Sequence, residues 1–216
     1  PLGEWIIREA IREAASWKEP HRIAINLSPI QMRSPSLLTV LTSAIVNAQI
    51  DPQRVEIEIT ESTLMQDSDA NVEILHRLRE LGVRIALDDF GTGYSSLNYL
   101  RAFPFDKIKI DRCFVGDMAE RKDSDSIVQA VIALATKLEM RTTAEGIENA
   151  GQMDMLRATE CTQMQGYLFS KAVPAAQLPH RDADRGSSNA RITPLEKKPP
   201  AADHDSAAAL SRRHAG

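Results

Sequence analysis

Two adjacent acids, Asp88 and Asp89, close the apolar run "IALDD", and Phe90 and the turn Gly91-Thr92-Gly93 follow at once. Carboxylates in this arrangement serve general acid–base chemistry or hold divalent cations through hard oxygen donors. Successive side chains on a strand point to opposite faces, which would part the two acids. Asp88 is the last residue of the alternation. Asp89 falls past it, where the pleat no longer sets direction and the following loop can turn it back toward the same site. Gly91 and Gly93 permit backbone angles that other residues resist, so the loop can move or bring its backbone close to a ligand.

The same alternation sorts the other candidate residues. In "RIAINLS" Ile23, Ile25 and Leu27 oppose Ala24, Asn26 and Ser28; in "VEIEIT" Val55, Ile57 and Ile59 oppose Glu56, Glu58 and Thr60. In "RIALD" Ile85 and Leu87 oppose Ala86 and Asp88. In "KIKID" Ile108 and Ile110 oppose Lys107, Lys109 and Asp111, and in "TTAEG" Thr143 and Glu145 share a face. A parallel sheet normally has two buried faces and near-continuous apolar strands; these strands break that rule on one face. Asn26, Glu58, Asp88, Lys109 and Glu145 all stand near the C-terminal ends of their strands, where barrel enzymes hold their chemistry. Converging carboxylates imply cations between them, because unpaired buried charge is costly. Acids able to share two ions roughly 3.5–4 Å apart match a two-metal phosphodiester site. Oxygen donors favour Mg²⁺ or Mn²⁺ over zinc, and His21, His76, His180, His204 and His214 are scattered without zinc spacing. The competing reading is an antiparallel sheet, apolar inside and wet outside; the helical segments between strands argue against it.

Those segments follow from periodicity. Gly3 to Trp17 carries an apolar stripe at helical spacing. Helices are also expected over 36–48, 70–81 (with Gly82 as C-cap), 95–100, 123–138 and 150–158. Strands fall between them, the last a short one over "TQMQG". The six βα-like units predict an α/β fold with a parallel sheet, open or closed into a barrel.

The 216 residues suffice for one domain with a sizeable core, and the net charge of −4 gives no basic surface for nucleic acid. No apolar run is long enough to span a membrane. Cys113 and Cys161 lack CxxC spacing and read as small apolar residues, which fits a reducing cytosol. Residues 1–179 form the expected barrel domain. From His180 onward large apolar residues are few and charges of both signs scatter among Pro, Ser and Ala, so 180–216 reads as a disordered tail. Pro1 stands where an initiator Met would be, and the expectation is an internal piece of a longer protein.

The series "GEWIIREA", "INLSPIQM", "VEIEITES", "ALDDFGTGYSSLNYLRAFPFDKIKID", "TAEGIE" and "QGYLFSKAVP" resembles the EAL-domain family of cyclic di-GMP phosphodiesterases, in order and approximate spacing from Gly3 to about Pro174. The resemblance implies a modified TIM-type (β/α)8-like barrel that opens one phosphodiester bond of cyclic di-GMP to give linear pGpG, with two divalent cations, Mg²⁺ or Mn²⁺. By match to the motifs, Asn26, Glu58 and Asp88 would ligate metal, Asp88 bridging both ions, and Asp89 would hold the second. Lys109 would position the attacking water. Glu145 would bind metal or metal-bound water and could act as base. Gln165 would line the site, and Glu148 would brace the loop carrying Gly91, Thr92 and Gly93, which in the family couples metal binding to dimerisation.

The family's signature Glu-Ala-Leu segment and a substrate-binding Arg lie upstream of the "GEW" helix, so the first two barrel strands are expected to be missing here, and residues 1–216 alone are expected to hydrolyse cyclic di-GMP feebly or not at all. "SKAVP" also departs from the family's usual Pro after Lys. The resemblance further implies a cytoplasmic homodimer formed through the barrel, an upstream sensor or diguanylate-cyclase-like domain as a possible neighbour, and no DNA partner. Two alternatives stay open: a non-hydrolytic cyclic di-GMP receptor or interaction module, and an unrelated metal-dependent barrel hydrolase.

Overall fold

Alternating apolar residues build six strands: β1 (Ile23–Asn26), β2 (Val55–Thr60), β3 (Arg84–Phe90), β4 (Lys107–Ile110), β5 (Arg141–Ala144) and β6 (Gln163–Met164). The computed structural model describes residues 2–66, 68–92, 100, 102, 103 and 105–178. The helix expected over 95–100 and the tail expected over 180–216 lie outside these residues, apart from Leu100. The described residues belong to one compact unit spanning 1–186, and the second unit, 187–216, lies outside them.

All five strand pairings are parallel, and the spatial order β1-β2-β3-β4-β5-β6 is the order of the chain. Crossovers between parallel strands are right-handed. A strictly sequential order therefore puts every crossover helix on the same face and curls the sheet around the other, which is the barrel solution rather than the doubly wound one.

Helices on the outer face bury the expected stripes. Ile7, Ile11 and Ala14 of α1 (Leu2–Ser16) and Leu37, Val40, Leu41, Ala44 and Ile45 of α3 (Leu37–Ala48) are buried. They join Ile57, Ile85 and Ile108 of the strands in one core. The core continues through Leu75 and Leu78 of α5 (Ser68–Glu80), Val128, Val131, Ile132 and Ala135 of α7 (Lys122–Lys137), and Leu156 of α8 (Ala150–Arg157).

Three short helices were not expected from periodicity, because each is too short to show one. These are α2 (Pro29–Met32), α4 (Glu61–Met65) and α6 (Arg112–Asp117). Each starts at the C-terminal end of a strand and is set by a cap: Ser28 with a reciprocal Gln31 box, Thr60 accepting from the Thr63 amide, and Asp111 accepting from the Cys113 amide. These caps turn the chain sharply at the rim that carries the polar residues.

Candidate active site

The inward parity read from the strands brings four residues into contact. The Lys109 ammonium lies 2.8 Å from Glu145, 2.9 Å from Glu58 and 3.0 Å from Asp88. Glu58, Asp88 and Lys109 are all buried and Glu145 is half-buried. One cation therefore serves three carboxylates contributed by β2, β3 and the end of β5. Burial pushes the Glu58 carboxyl up despite its ion pair with Lys109, and burial likewise pushes Glu145 up. Burial alone would lower Lys109. Its hydrogen bonds and charge interactions with Glu145 and Glu58 outweigh that and raise it, so it stays an ammonium.

Asp89 joins the cluster by a route different from the expected one. It lies inside β3 rather than beyond it, and the pairing of β3 with β4 loses register between Leu87 and Phe90. At this irregularity Asp89 adopts a left-handed backbone, φ 53°. A bulge of this kind re-aims a side chain, and it cancels the strand's alternation where the two acids need to meet. Asp88, Asp89 and Glu145 each offer an oxygen, all within 4.8 Å of one another. Burial pushes Asp89 up, and the neighbouring carboxylates Asp88 and Asp111 add to it.

The remaining expectations divide. Asn26 pairs with Glu58 in register but is exposed, since β1 ends the sheet order. Gln165 is exposed at the end of β6; its amide donates to Ala144 and its carbonyl accepts from Ile147. Gly166 follows in close approach, because a Cβ there would collide with the Ile147 backbone. Gly91 has φ +96°, and a Cβ would stand 2.9 Å from Phe114. Thr92 closes the turn, its hydroxyl donating to the Asp89 carbonyl at 2.8 Å. Gly93 lies outside the described residues. Glu148 is exposed, and its amide donates to the Gln152 side chain. Among the described residues of the loop, the Gly91 amide donates to the buried Glu61 carboxylate at 3.1 Å.

Glu61 was missed because it sits in the first turn of a helix, where strand parity says nothing. Asp111 was missed although it shares the inward face with Lys109; its carboxylate lies near enough to Asp89 to push that carboxyl up. Hard oxygen donors from several elements, close together and short of positive charge, suit a small divalent cation.

The sequence model of the EAL domain family matches residues 1–172. The chain belongs to the EAL domain family. Its match to the cyclic di-GMP phosphodiesterase NbdA of Pseudomonas aeruginosa is 41% identical over 181 residues, covering 82% of this chain and 23% of the relative. The bifunctional diguanylate cyclase/cyclic di-GMP phosphodiesterase MucR of the same organism is 39% identical over 181 residues, with 82% of this chain and 26% of that one covered. The chain thus spans about a quarter of the length of these curated relatives. A solved structure of the PaMucR phosphodiesterase in complex with c-di-GMP superposes with a TM-score of 0.79 at 39% identity. That match covers 82% of this chain and 74% of the other. Together they give the EAL domain its (β/α)8-like barrel, of which the described residues supply six sequential strands.

Proposed function

We propose that this EAL domain is a cyclic di-GMP phosphodiesterase that cleaves one phosphodiester bond to release linear pGpG. The observation that carries this is the set of oxygen donors from Asp88, Asp89 and Glu145 within 4.8 Å of one another, beside Glu58 and Lys109 at the C-terminal rim of a parallel barrel sheet. In this reading Asp88, Asp89, Glu58, Asn26 and Glu145 would hold the divalent cations, Asp88 serving as a shared ligand. Bound Mg²⁺ or Mn²⁺ supplies charge stabilisation for the attacking and leaving oxygens.

The chain's own residues do the rest. Lys109, held as an ammonium by its carboxylates, donates hydrogen bonds that orient the incoming water. Glu145, whose carboxyl is raised by burial, accepts that water's proton. Glu61 fixes the backbone at Gly91 and so the end of β3 that carries both aspartates. Gln165 contacts substrate from the exposed rim, and Glu148 supports the loop of Gly91, Thr92 and Gly93. The barrel domain is residues 1–179 and the tail 180–216; the domain works as a homodimer alongside upstream signalling domains.

The test is to incubate this chain, extended upstream through the family's Glu-Ala-Leu segment, with cyclic di-GMP and Mg²⁺ or Mn²⁺ and to follow pGpG by chromatography. Cation-dependent pGpG is expected, with none from Asp88→Asn. Binding of cyclic di-GMP by calorimetry without turnover would replace the enzyme with a receptor.

A further inference from the structure

Below the carboxylate cluster lies a second charged layer that the proposed chemistry does not use. Glu56 and Lys107 precede Glu58 and Lys109 by two residues on β2 and β4, so they share the inward face one step lower. The Lys107 ammonium lies 2.6 Å from the Glu56 carboxylate, and both residues are buried, at 8% and 3% exposure. Their strands are not neighbours, because β3 runs between them. The pair closes across β3 past Ala86, which pairs with Glu58 on one side and Lys107 on the other. The Lys109–Glu58 pair crosses β3 in the same way one step higher. The barrel interior therefore holds a second charged layer in which Glu56 and Lys107 pair with each other, with Arg84 beside Glu56 and Arg141 beside Lys107 in register and Arg22 near enough to interact with Glu56. Above it lies a layer with one base and a surplus of acids.

We infer that the Glu56–Lys107 pair sets the cation affinity of the site above it by keeping the Lys107 ammonium out of the carboxylate cluster. Lysine is a point charge on a flexible four-carbon stem. Without Glu56, a buried ammonium has no partner in its own layer. Glu58 and Asp88, the acids above, then become its partners, and it competes with the divalent ion. Without Lys107 a cation is lost from beneath the site, while Glu56 keeps Arg22 and Arg84 near it; neither change brings a new positive charge into the carboxylate cluster, so cation binding is not weakened. A purely structural pair would instead weaken the site whichever member is lost.

The inference rests on the site being a divalent-cation site, and the experiment separates the two. Mn²⁺ binding to the full chain is measured by calorimetry for the unmodified protein, Glu56→Gln, Lys107→Met and the double variant. An unpaired charge two residues, about 7 Å, below the ion should weaken Mn²⁺ binding by Glu56→Gln at least about tenfold. Lys107→Met should bind as tightly as the unmodified protein or more so. The double variant should return to within about threefold of the unmodified value, the non-additivity that defines coupling. If Lys107→Met fails to fold, recovery in the double variant over Glu56→Gln still decides. Equal losses in both single variants, or additive losses in the double, would overturn the inference and leave the cation site standing. Absence of Mn²⁺ binding by the unmodified chain would overturn the functional reading, and this inference with it.

Discussion

Lys109→Met removes the one cation shared by Glu58, Asp88 and Glu145, all within 3.0 Å of its ammonium. Breaking a buried ion pair by deleting one partner costs about 3–5 kcal/mol, because the remaining charge is left uncompensated. For a domain of this size that corresponds to a fall in Tm of roughly 10 °C. The loss has a defined pH dependence. Glu58 and Glu145 already have raised carboxyls in the folded protein, and without Lys109 they rise further. An acid raised by folding holds its proton more tightly folded than unfolded, so protonation stabilises the fold. The deficit of Lys109→Met is therefore smallest at acid pH and grows as pH climbs through the raised carboxyl range. Saturating Mn²⁺ should replace the missing charge and restore most of the Tm, stabilising the variant more than the unmodified protein. The assay is thermal unfolding by circular dichroism at pH 5 and pH 8, with chelator and with Mn²⁺. A deficit of equal size at both pH values and untouched by Mn²⁺ would refute this electrostatic account and leave only lost packing.

Other consequences follow from single contacts. Asp88→Asn should abolish Mn²⁺-dependent stabilisation, whereas Leu87→Ile, one residue away on the opposite face, should keep it and cost less than about 1.5 kcal/mol in denaturant unfolding. Gly166→Ala should cost about 1–3 kcal/mol in the same measurement, since its Cβ collides with the Ile147 backbone. Cys113 is exposed as a residue, but partial desolvation of its thiol and the neighbouring Asp111 carboxylate push the thiol up to about 11. Iodoacetamide at pH 8 should therefore modify it about a hundredfold more slowly than an ordinary thiol, and Asp111→Asn should speed the reaction.

Period-two patterning carried the inward set because it is a property of each strand alone. Glu58, Lys109 and Glu145 could be placed on one face without knowing how the strands pair, and the ion pairs of Lys109 join those three. Asp89 shows where that logic ends. Its left-handed backbone and the slip in register arise from the pairing of β3 with β4, which a single strand does not encode. Glu61 reaches Gly91 from a helix of five residues, set by a Thr60 cap rather than by a periodic stripe. Asp111 and the Glu56–Lys107 pair were on the inward face in the sequence. Their partners, Asp89 and each other across β3, emerge only from the curl of the sheet.

The central claim, that the acids at the rim of this EAL domain hold divalent ions for phosphodiester cleavage, is tested most directly by anomalous diffraction from crystals soaked in Mn²⁺. The account predicts two peaks roughly 3.5–4 Å apart, both within coordination distance of Asp88, one also contacting Asp89. Anomalous density confined to surface carboxylates, with Asp88, Asp89 and Glu145 free of metal at saturating Mn²⁺, would contradict it.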